Sequence, residues 1–196
     1  MVDWRRLILS VILAAIPSHA QSQTANLPYD LKGDRLGMSL EDFKAKYHHS
    51  VRGDTRQAPF CSDKGNGLAE CQIYFPFEKI QGKAVETVAN VPADLMFAFV
   101  DGKLWDISAV FNQTDFETVK KAFTEKFGDP KSSESKVYQN AFGATFLGQI
   151  LTWDNGTSTI LLVERNQNLN TSSVHAEHTA LAAIAKARTP KPKPDI

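Results

Sequence analysis

Asp101-Gly102 lies between two apolar-rich runs, residues 95–100 and 103–111, and this dipeptide constrains the fold more than any other part of the chain. Both residues tolerate positive φ, which the type I′ turn of a two-residue β-hairpin demands, so the flanking runs read as antiparallel strands. On the return strand, alternation puts Trp105, Ile107, Ala109 and Phe111 on one face, with Lys103, Leu104 and Ser108 assigned to the other. The first face is expected in the core. A helix pattern follows directly, so Trp105 is expected to be buried against Phe116, Val119 and Phe123. A second hairpin runs from Gln149 through Trp153 to Asp154-Asn155-Gly156 and back from Thr157 to Glu164. Residues 142–148, punctuated by Gly143 and Gly148, read as another strand or a bulged one. Residues 71–75 are rich in β-formers, and Pro76 suits a strand end.

Two helices are expected beside these strands. Ser39-Leu40-Glu41-Asp42 has the form of a capping box with Asp in place of Glu, and Leu40, Phe43 and Tyr47 follow at helical spacing. The second helix is capped by Thr114 or Asp115, buries Phe116, Val119, Phe123 and Phe127, and ends at Gly128 and Pro130. Residues 116–123 echo residues 40–47, so helix followed by meander occurs twice. That leaves two readings: one domain over residues 29–170, or two halves near 29–111 and 112–170. Residues 171–188 are Ala-rich and read as a C-terminal helix from about Val174. Residues 21–28 and the Lys-Pro stretch in 189–196 read as unpacked ends.

Arg5 and Arg6 precede an apolar run over residues 7–16, then Pro17 and Ser18-His19-Ala20. That is the charged start, apolar middle and small-x-small stop of an export signal, with cleavage expected after Ala20. The run falls short of the roughly 20 apolar residues that span a bilayer, and no cysteine for a lipid anchor follows the cut. The reading is a periplasmic or secreted protein. Cys61 and Cys71 are the only cysteines, and an oxidising compartment makes them one disulfide across the turn-forming residues 62–67. Asn112, Asn155 and Asn170 begin glycosylation sequons, which matter only in a eukaryotic secretory pathway.

Acidic and basic residues balance, 22 against 22, which gives no electrostatic reason to bind nucleic acid or anionic lipid. His48 and His49 are adjacent and diverge; His175 and His178 could meet one ion from a helix, but two ligands make no site by themselves. No catalytic or nucleotide-binding motif is present, so no catalytic residue, metal or cofactor is assigned. Paired carboxylates such as Glu41-Asp42 sit at helix starts, where they favour the dipole.

Gly37-Met38-Ser39 opening a helix, the cysteine pair after it, and Phe99, Asp101, Gly102 and Leu104 in the hairpin together resemble the β-lactamase-inhibitor-protein-like superfamily. That superfamily includes the BamE/SmpA outer-membrane assembly proteins. The resemblance covers roughly residues 33–111. It implies helices packed on an antiparallel sheet, a surface for proteins, and no catalytic centre. Assembly proteins of this kind carry an N-terminal lipid cysteine, and this chain has none at the cut. The expected architecture is therefore α+β: an antiparallel sheet of hairpins packed by two amphipathic helices, with a third helix at the C-terminus. The expected function is that of an exported soluble, non-catalytic protein-binding or envelope-associated module, which contacts another protein through the sheet face or the hairpin tips, Asp101-Gly102 and Asp154-Asn155. The alternative is a periplasmic enzyme, or enzyme accessory, whose site has no sequence signature.

Overall fold

The computed structural model describes residues 26–47, 59–73, 86–166 and 168–189. The export signal, His48, His49, residues 74–76 and the Lys-Pro stretch from residue 190 lie outside them. Two short strands, β1 (Asp30–Leu31) and β2 (Asp34–Arg35), pair around a Lys32-Gly33 turn and lead to helix α1 (Leu40–Tyr47). Then follow β3 (Phe60–Gly65), β4 (Leu68–Gln72), β5 (Thr87–Val88), β6 (Val91–Val100) and β7 (Lys103–Asn112). After a 3-10 turn come α2 (Phe116–Phe127), β8 (Ser132–Gln139), β9 (Thr145–Asp154), β10 (Ser158–Val163), β11 (Thr171–His178) and α3 (Thr179–Arg188).

Every strand pairing among the described residues is antiparallel, and the main sheet runs β3-β4-β6-β7-β11-β10-β9-β8, with β5 beside β6. The protein is thus α+β with an open sheet. The hairpin turn forms as its residues demand, with Asp101 at φ 48° and Gly102 at φ 70°. Cys61 stands opposite Cys71 in the β3–β4 ladder, and the two are joined as a disulfide.

Helices α1 and α2 cover one sheet face. Ser39 caps α1, its Oγ accepting from Asp42 N at 3.0 Å and donating to the Asp42 carboxylate at 2.6 Å. The cap orients Phe43, which is fully buried with its ring 4.7 Å from Phe97 and 5.3 Å from Phe99. On α2, Phe116, Val119 and Phe123 are buried, and Phe127 packs at the margin. Asp115 occupies the N-cap position without a side-chain bond; the capping bond comes one turn earlier, where Asn112 Oδ1 accepts from Thr114 N.

Two sequence expectations are corrected here. The first concerns Trp105. Phe99 faces Leu104 and Ala98 faces Asp106, so Trp105 is the extra residue of a β-bulge and is only partly buried. The extra residue resets the alternation, and Leu104 joins Ile107, Ala109 and Phe111 in the core. The tryptophan that meets α2 is Trp153, 5.9 Å from the Phe123 ring and donating from Nε1 to Gly128 O at 2.8 Å.

The second concerns the C-terminal helix, which starts at Thr179 and not at Val174. Thr171–His178 is a strand at the centre of the sheet, bonded to β7 on one side and β10 on the other. Ser172, Val174 and Ala176 alternate toward the core, and the Ala-rich composition that suggested helix belongs to the residues after them, Thr179–Arg188. Helix α3 then packs back on β7, β11 and β6. It covers the sheet face opposite α1 and α2, since Lys186 reaches Glu177, whose cross-strand partner Asp106 points away from its core-facing neighbour Ile107.

Candidate functional site

The two hairpin tips singled out from the sequence lie at the same end of the sheet, and both tie the chain to itself. Arg188 donates to Asp101 through both terminal nitrogens, at 2.6 and 2.8 Å, and to Asn66 O at 3.2 Å. The paired guanidinium holds the Asp101 carboxyl below its ordinary range. This knot needs glycine at position 67, because a Cβ there would sit 2.6 Å from Asp101 Oδ1 on a backbone at φ 74°. Gly102 adds a further tie by accepting from Leu40 N. At the second tip, Asp154 accepts from Lys131 at 2.7 Å and is held low by it. Asn155 donates to Leu27 O at 2.9 Å and accepts from the Thr157 and Ser158 amides. The polar groups of these tips are engaged with α3 and with the N-terminal segment.

His175 and His178 do not converge. They belong to a strand, where a separation of three sends side chains to opposite faces. His175 stands opposite Ser108 on the α3 side, and burial lowers its pKa against the pull of Glu177. His178 packs near Gly37, its Nδ1 without a hydrogen-bond partner among the described residues. Among the described residues no three His, Cys, Asp or Glu side chains are placed to hold a metal ion.

Two buried acids escaped the sequence reading, Asp34, which accepts from Lys46 and Tyr47, and Asp106. Asp106 is 9% exposed, and its Oδ1 has no hydrogen-bond partner among the described residues. It faces Glu177 directly across the β7–β11 ladder. Burial, and then the charge of Glu177, push its pKa up to about 7, with Lys186 opposing. The only signal in the sequence is an aspartate inside an apolar strand next to the bulge.

Among the described residues, the feature most exposed to a partner is the far end of the β8–β9 hairpin. β10 pairs with β9 only as far as Ile150, so the hairpin extends beyond its neighbour as an arm. Val137 and Leu147 face each other on the core side of the sheet plane with no described residue covering them, 63% and 68% exposed, and Phe142 at the tip is 96% exposed. The arm is braced. Asn140 Oδ1 accepts from the Phe142 and Ala144 amides at 3.0 and 2.9 Å, and Gln139 donates to Gly143 O. At the base Arg165 lies 5.3 Å from the Phe146 ring and donates to Leu147 O and Leu169 O. Gly148 leaves room for the Tyr138 ring, which would approach a Cβ to 2.9 Å. Glycine spacing in residues 142–148 indicated irregular strand, but the overhang depends on where β10 stops, which local pattern does not encode.

No helix among the described residues is long and apolar enough to cross a membrane. No family model, curated protein or solved structure matches this chain.

Proposed function

We propose that this protein is an exported, non-catalytic module that binds another protein through the β8–β9 arm. The observation that carries the reading is Phe142, a large apolar side chain almost wholly in water at the tip of a braced hairpin, with Val137 and Leu147 behind it. Exposed apolar groups on an ordered support lose little conformational freedom on docking, which is how interface anchors contribute affinity. The arm takes this role in place of the Asp101-Gly102 and Asp154-Asn155 tips, whose polar groups are engaged internally. Export to the periplasm or beyond the cell is supported by the Cys61–Cys71 disulfide and by the signal pattern of residues 1–20.

The two-half reading also draws support from the topology. α1 is followed in the sheet by β3, β4, β6 and β7, and α2 by β8, β9, β10 and β11, with the last strand of each set meeting at the centre. This arrangement fits a duplicated helix-plus-meander unit of the kind the β-lactamase-inhibitor-protein-like resemblance implies. For the enzyme alternative, Asp106 is the described carboxyl with a strongly raised pKa, and it lies beneath α3.

The test compares wild-type protein with Val137→Ser/Phe142→Ser/Leu147→Ser as baits in envelope extract. The variant should keep the wild-type melting temperature and lose the proteins that wild type recovers. Identical recovery by a folded triple variant would reject the arm as the contact surface.

A further inference from the structure

We infer that the outer edge of β8 pairs with β8 of a second copy of this chain, antiparallel and centred on Ser135, so that two sheets become one. The inference rests on the arm being an exposed docking element, but it concerns the strand edge and not the apolar tip.

β8 closes one end of the sheet. β9 occupies one of its sides, and no described residue pairs with the other. The direction of its backbone groups follows from the ladder. Asn140 N donates to Ala144 O at 3.0 Å, continuing the register in which Gln139 faces Thr145. Even-numbered residues of β8 therefore bond to β9, and the N–H and C=O groups of Ser133, Ser135 and Val137 point outward. The far side of β9 agrees: Glu164 N donates to Gln149 O, so odd-numbered residues of β9 face β10.

Such an edge is a template for another strand unless something blocks it. β8 keeps unbroken register with β9 from Ser132 to Gln139, and it contains no proline. Its charges are the usual deterrent, yet here they are self-complementary. Glu134 and Lys136 flank Ser135 on the same face, both are exposed, and neither enters an ion pair among the described residues. With two antiparallel copies centred on Ser135, Ser135 meets Ser135, Ser133 meets Val137, and Glu134 meets Lys136 at both symmetric positions. The outward backbone groups then form about six hydrogen bonds between the chains. The Glu–Lys positions are the non-hydrogen-bonded pairs, where side chains come closest. A register shifted by two residues places Lys136 against Lys136, or Glu134 against Glu134, so charge selects this alignment. The joined sheet carries its two Phe142 tips at opposite ends, a bivalent display.

Sedimentation equilibrium of the purified, disulfide-bonded protein should show a reversible dimer. Lys136→Glu or Glu134→Lys alone should weaken it about tenfold or more, since both symmetric pairs become like-charged. The double exchange Glu134→Lys/Lys136→Glu should restore it to within about threefold, because the new lysine again faces a glutamate. Ser135→Pro removes an outward N–H without touching a bond to β9, and should leave a folded monomer. A mixture of Glu134→Cys and Lys136→Cys proteins should form a disulfide dimer that neither forms alone, as like positions stand beyond the roughly 7 Å Cα reach of a disulfide. Monomeric wild type, a double exchange without rescue, or a dimeric Ser135→Pro protein would each overturn the inference. A monomer whose arm still captures another protein refutes this inference alone; a dimer whose arm captures nothing refutes the proposed function alone.

Discussion

Replacing Asp106 with Asn should make the protein more stable at pH 8, by a margin that shrinks as pH falls through 5 and vanishes near pH 4. Asp106 lies under α3 with one oxygen unpaired and Glu177 opposite, so the fold favours its neutral form. Its pKa rises from 3.8 to about 7 on folding. Between these values the folded state holds a proton that the unfolded chain has released. Stability conferred by the neutral acid is complete below about pH 4, falls as pH rises, and is gone once pH exceeds the folded value. A rise from 3.8 to about 7 corresponds to on the order of 4 kcal/mol, at about 1.4 kcal/mol per tenfold change in the protonation equilibrium. His175 acts in the opposite sense, because its lowered pKa makes folding release a proton and adds stability as pH climbs. That contribution is common to both proteins and cancels in the difference. The assay is urea unfolding of wild type and Asp106→Asn at intervals from pH 5 to 8.5, read as the difference in unfolding free energy. The variant's advantage should grow with pH toward a plateau above about pH 7. Parallel pH profiles for the two proteins, or a wild-type advantage that increases with pH, would refute the reasoning.

Trp153→Ala should destabilise by about 3 to 5 kcal/mol, the range for removing a buried aromatic, whereas Trp105→Ala should cost clearly less; chemical denaturation of both variants decides. Replacing Cys61 and Cys71 together with Ser should cost roughly 2 to 3 kcal/mol in the same assay, given the short loop that the disulfide closes. Phe142→Ser alone should shift stability by less than about 0.5 kcal/mol, since its ring touches water and little else.

Much of the fold is legible because local chemistry and tertiary structure agree. Asp101-Gly102 can form only a narrow class of turn, Ser39 can cap only the helix that follows it, and the Phe116–Val119–Phe123 stripe has one way to be buried. The failures have the opposite origin. Trp105 and Leu104 exchange roles because a bulge inserts one residue, and alternation cannot report where the register breaks. Residues 171–178 pass for helix only through the Ala-rich run that follows them, since their own Thr, Ser, Val and His are weak helix formers, while the two ladders that make them a strand come from distant sequence. The arm is hidden for a related reason: Val137, Phe142 and Leu147 resemble core residues until β10 is seen to stop short of them. Asp101 and Asn155 were legible as turns, but their bonds to Arg188 and Leu27 depend on where the chain ends pack.

The central claim is that the arm carries the contact with another protein. The direct measurement is photo-crosslinking in the living exporting cell, with a photoreactive amino acid placed in turn at positions 137, 142, 147, 101 and 155. Adducts of one defined mass to a different protein should form from 137, 142 and 147 and be absent from 101 and 155. Adducts confined to 101 and 155, or none from the arm in a folded, exported protein, would contradict the account.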